Sequence, residues 1–131
     1  MERNEKTKAL LAAFGCALAY LLAGKALTAV LPQVPEEAAR MWAFVHRCAA
    51  APIVEELVFR GIIQQLARPL GERQAVALQA VLFAVQHRGP AGMAYALVCG
   101  LVLGTIRSRT GSVWPGMLLH TLSNLLVFTA G

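Results

Sequence analysis

The chain contains an apolar stretch from residue 9 to residue 31 that is interrupted only by Lys25, and further apolar stretches follow it. A helix of about 20 apolar residues is what crosses the roughly 30 Å hydrocarbon core of a bilayer. Charged residues make up only 15% of the chain and hydrophobic residues 57%, whereas a soluble domain carries about a quarter charged residues. The blocks therefore predict an integral membrane protein that is all-α.

Proline and glycine divide the chain into five predicted transmembrane helices. They cover residues 9–31, 41–67, 73–87, 91–107 and 113–129. The first is too long for the apolar part of a signal peptide, so we expect it to be retained. Residues 1–40 would form an N-terminal helix and loop. Residues 41–131 would form a core that contains the candidate functional residues.

Lysine and arginine predict the orientation of this polytopic fold. With a cytoplasmic N-terminus, seven of these residues fall inside and only three outside, so the C-terminus would be external. The inner set is Arg3, Lys6, Lys8, Arg68, Arg73, Arg107 and Arg109, and the outer set is Arg40, Arg47 and Arg88.

The net charge of +5 does not indicate a nucleic-acid partner, because the basic residues sit singly at the ends of apolar runs. The expected partners are the lipid bilayer and a membrane-associated substrate. Cys16, Cys48 and Cys99 are widely spaced, which argues against a disulfide framework and a cysteine zinc site. His46 is a poor base for Cys48, since residues two apart on a helix face different ways.

Glu55, Glu56 and Arg60 lie in the middle of the second predicted span. Ionisable groups at membrane depth are costly and usually functional. Glu56 and Arg60 are four residues apart and can neutralise each other on one helix face. Glu55 points elsewhere and has no partner on its own helix, so it is the candidate general base. A purely structural pair that locks helices together is the alternative.

Polar residues also occur in the third and fifth predicted spans. His87 closes the third, on the same face as Phe83. His120 and Asn124 are four apart in the fifth, and both can donate hydrogen bonds to a developing oxyanion. Helix–helix hydrogen bonding would explain the same pair. Glu55, His87 and His120 could alternatively hold a catalytic zinc ion, although no HExxH pattern supports this.

Three motifs in order resemble the CPBP family of intramembrane proteases, also called the CAAX protease and bacteriocin-processing family. EELVFRG at 55–61 matches EExxxR, FAVQH at 83–87 matches FxxxH, and HTLSN at 120–124 matches HxxxN. The segments 100–104 and 109–115 also look like this family. The resemblance covers about residues 50–127.

The resemblance implies a glutamic-type endopeptidase. Glu55, with His87, would activate a water molecule that attacks the scissile carbonyl. His120 and Asn124 would hold the oxyanion.

Glu56 and Arg60 would position the site, and the favoured mechanism uses no cofactor. The substrate would be a C-terminal sorting tail, a bacteriocin-type peptide or a CAAX-type terminus, and the first two are favoured because CAAX prenylation is unusual in prokaryotes. The Ala-rich, minimal chain suggests a prokaryotic cytoplasmic membrane. A zinc-dependent version of the protease and a non-enzymatic immunity or scaffold protein are the alternatives.

Overall fold

Helices make up almost all of the computed structural model, which describes residues 2–130. Five long helical segments follow one another, and the described residues form no strand. They are α1 (Glu2–Val30), α2 (36–66), α3 (Glu72–Ala84), α4 (Gly89–Thr110) and α5 (Trp114–Ala130), with a 3₁₀ turn at Arg68–Leu70 before α3. The all-α prediction is confirmed.

The second helix contains two π-helical segments. It is α-helical over Glu36–Val45, Ala51–Glu55 and Gln64–Leu66, and π-helical over His46–Ala50 and Glu56–Ile63. π-Helical turns are rare and occur often at functional sites. Both Glu56 and Arg60 lie in the second π segment. The sequence predicted a regular α-helix here and no π segment.

The third predicted helix ends three residues earlier in the structure than the sequence predicted. It ends at Ala84 rather than at His87. The backbone N–H of Gln86 donates to Phe83 O, and that of His87 to Ala84 O, so the chain turns here by i→i+3 bonds. Gly89 follows with φ +72°, a conformation that favours glycine. His87 therefore lies in a turn between α3 and α4.

Close packing joins α3 to α4 through small residues. A Cβ added at Gly100 would lie 2.9 Å from Ala80 Cα, so the two backbones touch. Gln79 Nε2 of α3 donates to Gly100 O at 2.7 Å, and Gln64 Nε2 of α2 donates to Gly104 O of α4 at 3.0 Å. Small residues four apart with interhelical amide bonds are a common way to join helices in membranes.

The first helix packs through a stripe of alanines and leaves large apolar side chains exposed. Ala9, Ala13 and Ala17 are buried, whereas Leu11 is 69% exposed and Val30 76% exposed. Such a face suits contact with lipid rather than with water. Among the helices of residues 2–130, α1 and α4 are long and apolar enough to cross a membrane by length and composition.

Candidate active site

A cavity of about 750 Å³ opens between α2, α4, α5 and the α3–α4 turn. Four of the six predicted site residues line it: Glu55, His87, His120 and Asn124. The other lining residues are His46, Arg47, Ala51, Phe83, Tyr95, Ala96, Cys99, Ser123, Val127 and Phe128. Residues from the three motifs thus meet at one partly open cavity, of the size that holds a small ligand or a few peptide residues.

His120 lies between the two glutamates. Its Nδ1 is 2.8 Å from Glu56 Oε1, and its Nε2 is 3.5 Å from Glu55 Oε2. The imidazole is almost buried and meets the Phe83 ring edge to face at 5.9 Å. A carboxylate only accepts hydrogen bonds, so Nδ1 is the donor to ionised Glu56. The Nε2 edge is then the one directed towards Glu55.

Glu56 and Arg60 form a buried ion pair behind the cavity. Arg60 Nη1 is 3.1 Å from Glu56 Oε1, and both side chains are within 1% of complete burial. The contact is not aligned as a hydrogen bond, and the guanidinium instead lies 4.4 Å from the centroid of the Phe83 ring. Charge attraction and the cation–π contact together compensate for removing Arg60 from solvent. The ion pair expected from the i,i+4 spacing is present.

Room for the second carboxylate oxygen of Glu56 depends on a glycine of α5. A Cβ added at Gly116 would approach Glu56 Oε2 to 3.3 Å. This is closer than side chains usually pack, so the absence of a side chain at this position lets α5 lie against the buried carboxylate. Gly116 itself is buried.

Glu55 is the glutamate that faces the cavity. Its side chain is 19% exposed, whereas that of Glu56 is 1% exposed. Only Glu55 lines the cavity, so it is the carboxylate that a water molecule or a peptide bond can reach. The two neighbouring glutamates therefore occupy different environments despite being adjacent in sequence.

The imidazole of His87 is held by the backbone of the preceding helix. Its Nδ1 is 3.0 Å from Phe83 O, and its ring packs edge to face on the Phe83 ring at 4.6 Å. A carbonyl oxygen can only accept, so Nδ1 carries the proton of this hydrogen bond. In neutral His87, Nε2 is therefore the nitrogen that is able to take up a proton.

Asn124 connects α5 to the first π segment of α2. Its Nδ2 donates to Arg47 O at 2.9 Å. The amide group has two N–H donors, and this bond uses one of them. Asn124 lines the cavity, so its orientation is set by Arg47 while the second N–H remains for another acceptor.

The described residues do not bring together a set of side chains for the alternative zinc site. Within residues 2–130 no three His, Cys, Asp or Glu side chains are grouped as a metal site requires. His120 already directs both ring nitrogens at carboxylates, and His87 uses Nδ1 on a backbone carbonyl. Glu55, His87 and His120 share the cavity without forming a three-ligand cluster.

Several cavity residues were not among the sequence predictions. Tyr95 Oη lies 3.5 Å from Ser123 Oγ, and Cys99 is on the same wall. Tyr95 and Cys99 are four apart and share a face of α4. The sequence shows this four-residue spacing, but no neighbouring residue distinguishes a cavity wall from a helix face that contacts lipid or packs on another helix.

A comparison with protein families identifies the chain. The model of the family described as Type II CAAX prenyl endopeptidase Rce1-like matches residues 37–126. The chain belongs to this family. The match contains all three motifs and confirms the resemblance read from them. No curated protein and no solved structure gave a significant match.

Rce1-like proteins are membrane-embedded proteases. The apolar helices α1 and α4 agree with this placement. All six predicted residues lie within the matched segment, as does the whole second π segment of α2.

Proposed function

We propose that the chain is an intramembrane endopeptidase that hydrolyses a peptide bond in a membrane-associated peptide or protein. The observation that carries the proposal is the convergence of Glu55, His87, His120 and Asn124 on one cavity. They come from two helices and a turn that are far apart in sequence. Membership of the Rce1-like family supports the reaction class.

In this mechanism Glu55 and His87 activate the attacking water. Glu55 is the cavity-facing carboxylate, and neutral His87 has Nε2 available while Phe83 O holds Nδ1. Glu55 or His87 takes a proton from the water molecule as the new C–O bond forms. The proton then passes to the amine nitrogen as the C–N bond breaks.

His120 and Asn124 would stabilise the negative charge that develops on the carbonyl oxygen. Because Glu56 accepts from Nδ1, His120 can donate from Nε2 only as an imidazolium. Two carboxylates, Glu55 and Glu56, would then balance two cations, Arg60 and His120.

Glu56 and Arg60 act as positioning residues in this mechanism. Glu56 holds the Nδ1 edge of His120 at 2.8 Å, which directs Nε2 towards Glu55. Arg60 compensates for the Glu56 charge. The mechanism requires no metal ion or other cofactor.

The remaining features of the proposal concern substrate and location. The family name favours a CAAX-type C-terminus, and a sorting tail or bacteriocin-type peptide would present the same chemistry. The cavity walls include Val127 and Phe128 as well as the exposed Arg47, which suits an apolar segment with a polar end. We propose that the protein crosses a prokaryotic cytoplasmic membrane with five helices.

The test is cleavage of tagged membrane-anchored reporters that carry each class of C-terminal tail, co-expressed with the protease. Wild type should cleave at least one reporter, Glu55→Gln should not, and the matched control Glu36→Gln should behave as wild type. Glu36 is exposed and lies outside the cavity. Full activity of Glu55→Gln would refute the mechanism. Loss of activity on chelation, with recovery on addition of zinc, would instead support the zinc-dependent version of the protease.

A further inference from the structure

Two adjoining cavities lie near the other end of α4, away from the candidate active site. Their volumes are about 340 and 350 Å³, and they share Thr105 and Arg109. Arg109 is about 21 Å along the helix from Tyr95 of the active-site cavity, at 1.5 Å per residue. The first is lined by Glu72, Arg73, Val76, Thr105, Ser108 and Arg109, and the second by Leu101, Val102, Thr105, Ile106 and Arg109.

The first of these cavities has an excess of positive charge. Its one carboxylate, Glu72, is already engaged, because Oε2 is 3.4 Å from Arg68 Nε and Oε1 accepts from Ser108 Oγ at 2.6 Å. Arg73 and Arg109 have no ion-pair partner in residues 2–130. Two guanidinium groups thus border a cavity without a protein anion to neutralise them.

The second cavity continues from Arg109 along an apolar wall. Leu101 and Val102 are 40% and 47% exposed, and Ile106 completes this wall. All three belong to α4, which is apolar and long enough to cross a membrane. The charged cavity therefore lies at the end of a span, and the apolar cavity extends from it towards the middle of that span.

We infer that these cavities bind one anionic phospholipid. Its phosphate contacts Arg73 and Arg109, and one acyl chain lies against Leu101, Val102 and Ile106. Guanidinium groups match phosphate oxygens in geometry and charge. A soluble phosphate would use only the charged half, whereas a lipid explains why an apolar groove begins at the same arginine.

Orientation agrees with this assignment. The lysine and arginine pattern predicts that this end of α4 faces the cytoplasm, where anionic lipids give the leaflet its negative surface potential. The inference does not depend on the peptidase proposal, because none of its residues lines the active-site cavity.

The experiment uses the full chain in neutral detergent and measures lipid binding by native mass spectrometry and by thermal shift. The probes are phosphatidylglycerol, phosphatidylcholine with the same acyl chains, and inorganic phosphate. The variant R73Q/R109Q is compared with R3Q/R40Q, which removes the same charge from exposed arginines outside every cavity described. We expect R73Q/R109Q to weaken phosphatidylglycerol binding about 30-fold and R3Q/R40Q to stay near wild type.

A third variant, Val102→Trp, separates a lipid from a free anion. The indole would occupy the apolar cavity, so it should weaken binding of phosphatidylglycerol while leaving the response to inorganic phosphate unchanged. Equal losses in R73Q/R109Q and R3Q/R40Q would overturn the site in favour of general surface attraction. Protection by phosphate equal to that by phosphatidylglycerol, with no effect of Val102→Trp, would overturn the lipid assignment.

Discussion

Replacing Glu56 with glutamine should destabilise the fold, whereas the same change at Glu55 should remove activity and leave stability nearly unchanged. Glu56 Oε1 contacts both Arg60 Nη1 at 3.1 Å and His120 Nδ1 at 2.8 Å, and all three side chains are at most 7% exposed. Removing its charge leaves Arg60 buried without a counterion. Breaking a buried pair in this way costs about 3–5 kcal/mol.

The Glu55 side chain is expected to matter less for stability and more for the reaction rate. It is 19% exposed and its contact with His120 is 3.5 Å long, so its loss should cost about 1 kcal/mol or less. Its effect should instead appear in the rate, since general-base catalysis contributes about 10²–10⁴-fold. Adjacent isosteric changes thus separate a positioning carboxylate from a reacting one.

Thermal unfolding of the purified protein in detergent, followed by tryptophan fluorescence, measures the first effect, and reporter cleavage measures the second. The double variant Glu56→Gln with Arg60→Met should recover much of the lost stability, because the uncompensated charge is then absent. It should not recover activity, since His120 still lacks its negatively charged partner. Equal unfolding temperatures for the two single glutamine variants would refute this account of the cluster.

Three further predictions concern other contacts. His87→Ala should lower the cleavage rate about 10²–10⁴-fold with little change in unfolding temperature; a wild-type rate in the reporter assay would remove it from the mechanism. Asn124→Ala should lower the rate about 10²–10³-fold if its free N–H meets the oxyanion, and single-turnover kinetics at saturating substrate would expose a defect confined to binding. Gly100→Val should lower stability by about 1–3 kcal/mol, because a Cβ there would approach Ala80 Cα to 2.9 Å; an unchanged denaturation midpoint would contradict the close packing of α3 and α4.

Much of the fold followed from patterns that are local in the sequence. Apolar blocks separated by proline and glycine predicted five helical segments, and residues 2–130 form five, with ends displaced by up to seven residues. Ionisable residues inside those blocks marked Glu55, Glu56, Arg60 and His120, because a charge in an apolar segment is conspicuous without any knowledge of its neighbours. The motif order then indicated the family, which the comparison confirmed.

Other features depended on how the helices pack. The sequence predicted a regular helix through residues 41–67, but two π segments occur in it, and one of them presents Arg47 O to Asn124. His87 lies in a turn because the chain leaves α3 at Ala84. Helical periodicity alone did not indicate either departure.

The division of labour between the glutamates also required the tertiary structure. The sequence by itself determined that Glu56 could pair with Arg60 and that Glu55 had no partner on its helix. Only the fold decided that His120 stands between them, 64 residues from Glu56 in the chain, and that Glu55 faces the cavity. Hydropathy and helical spacing report on neighbours within a turn or two, whereas contacts between distant helices depend on which faces pack together.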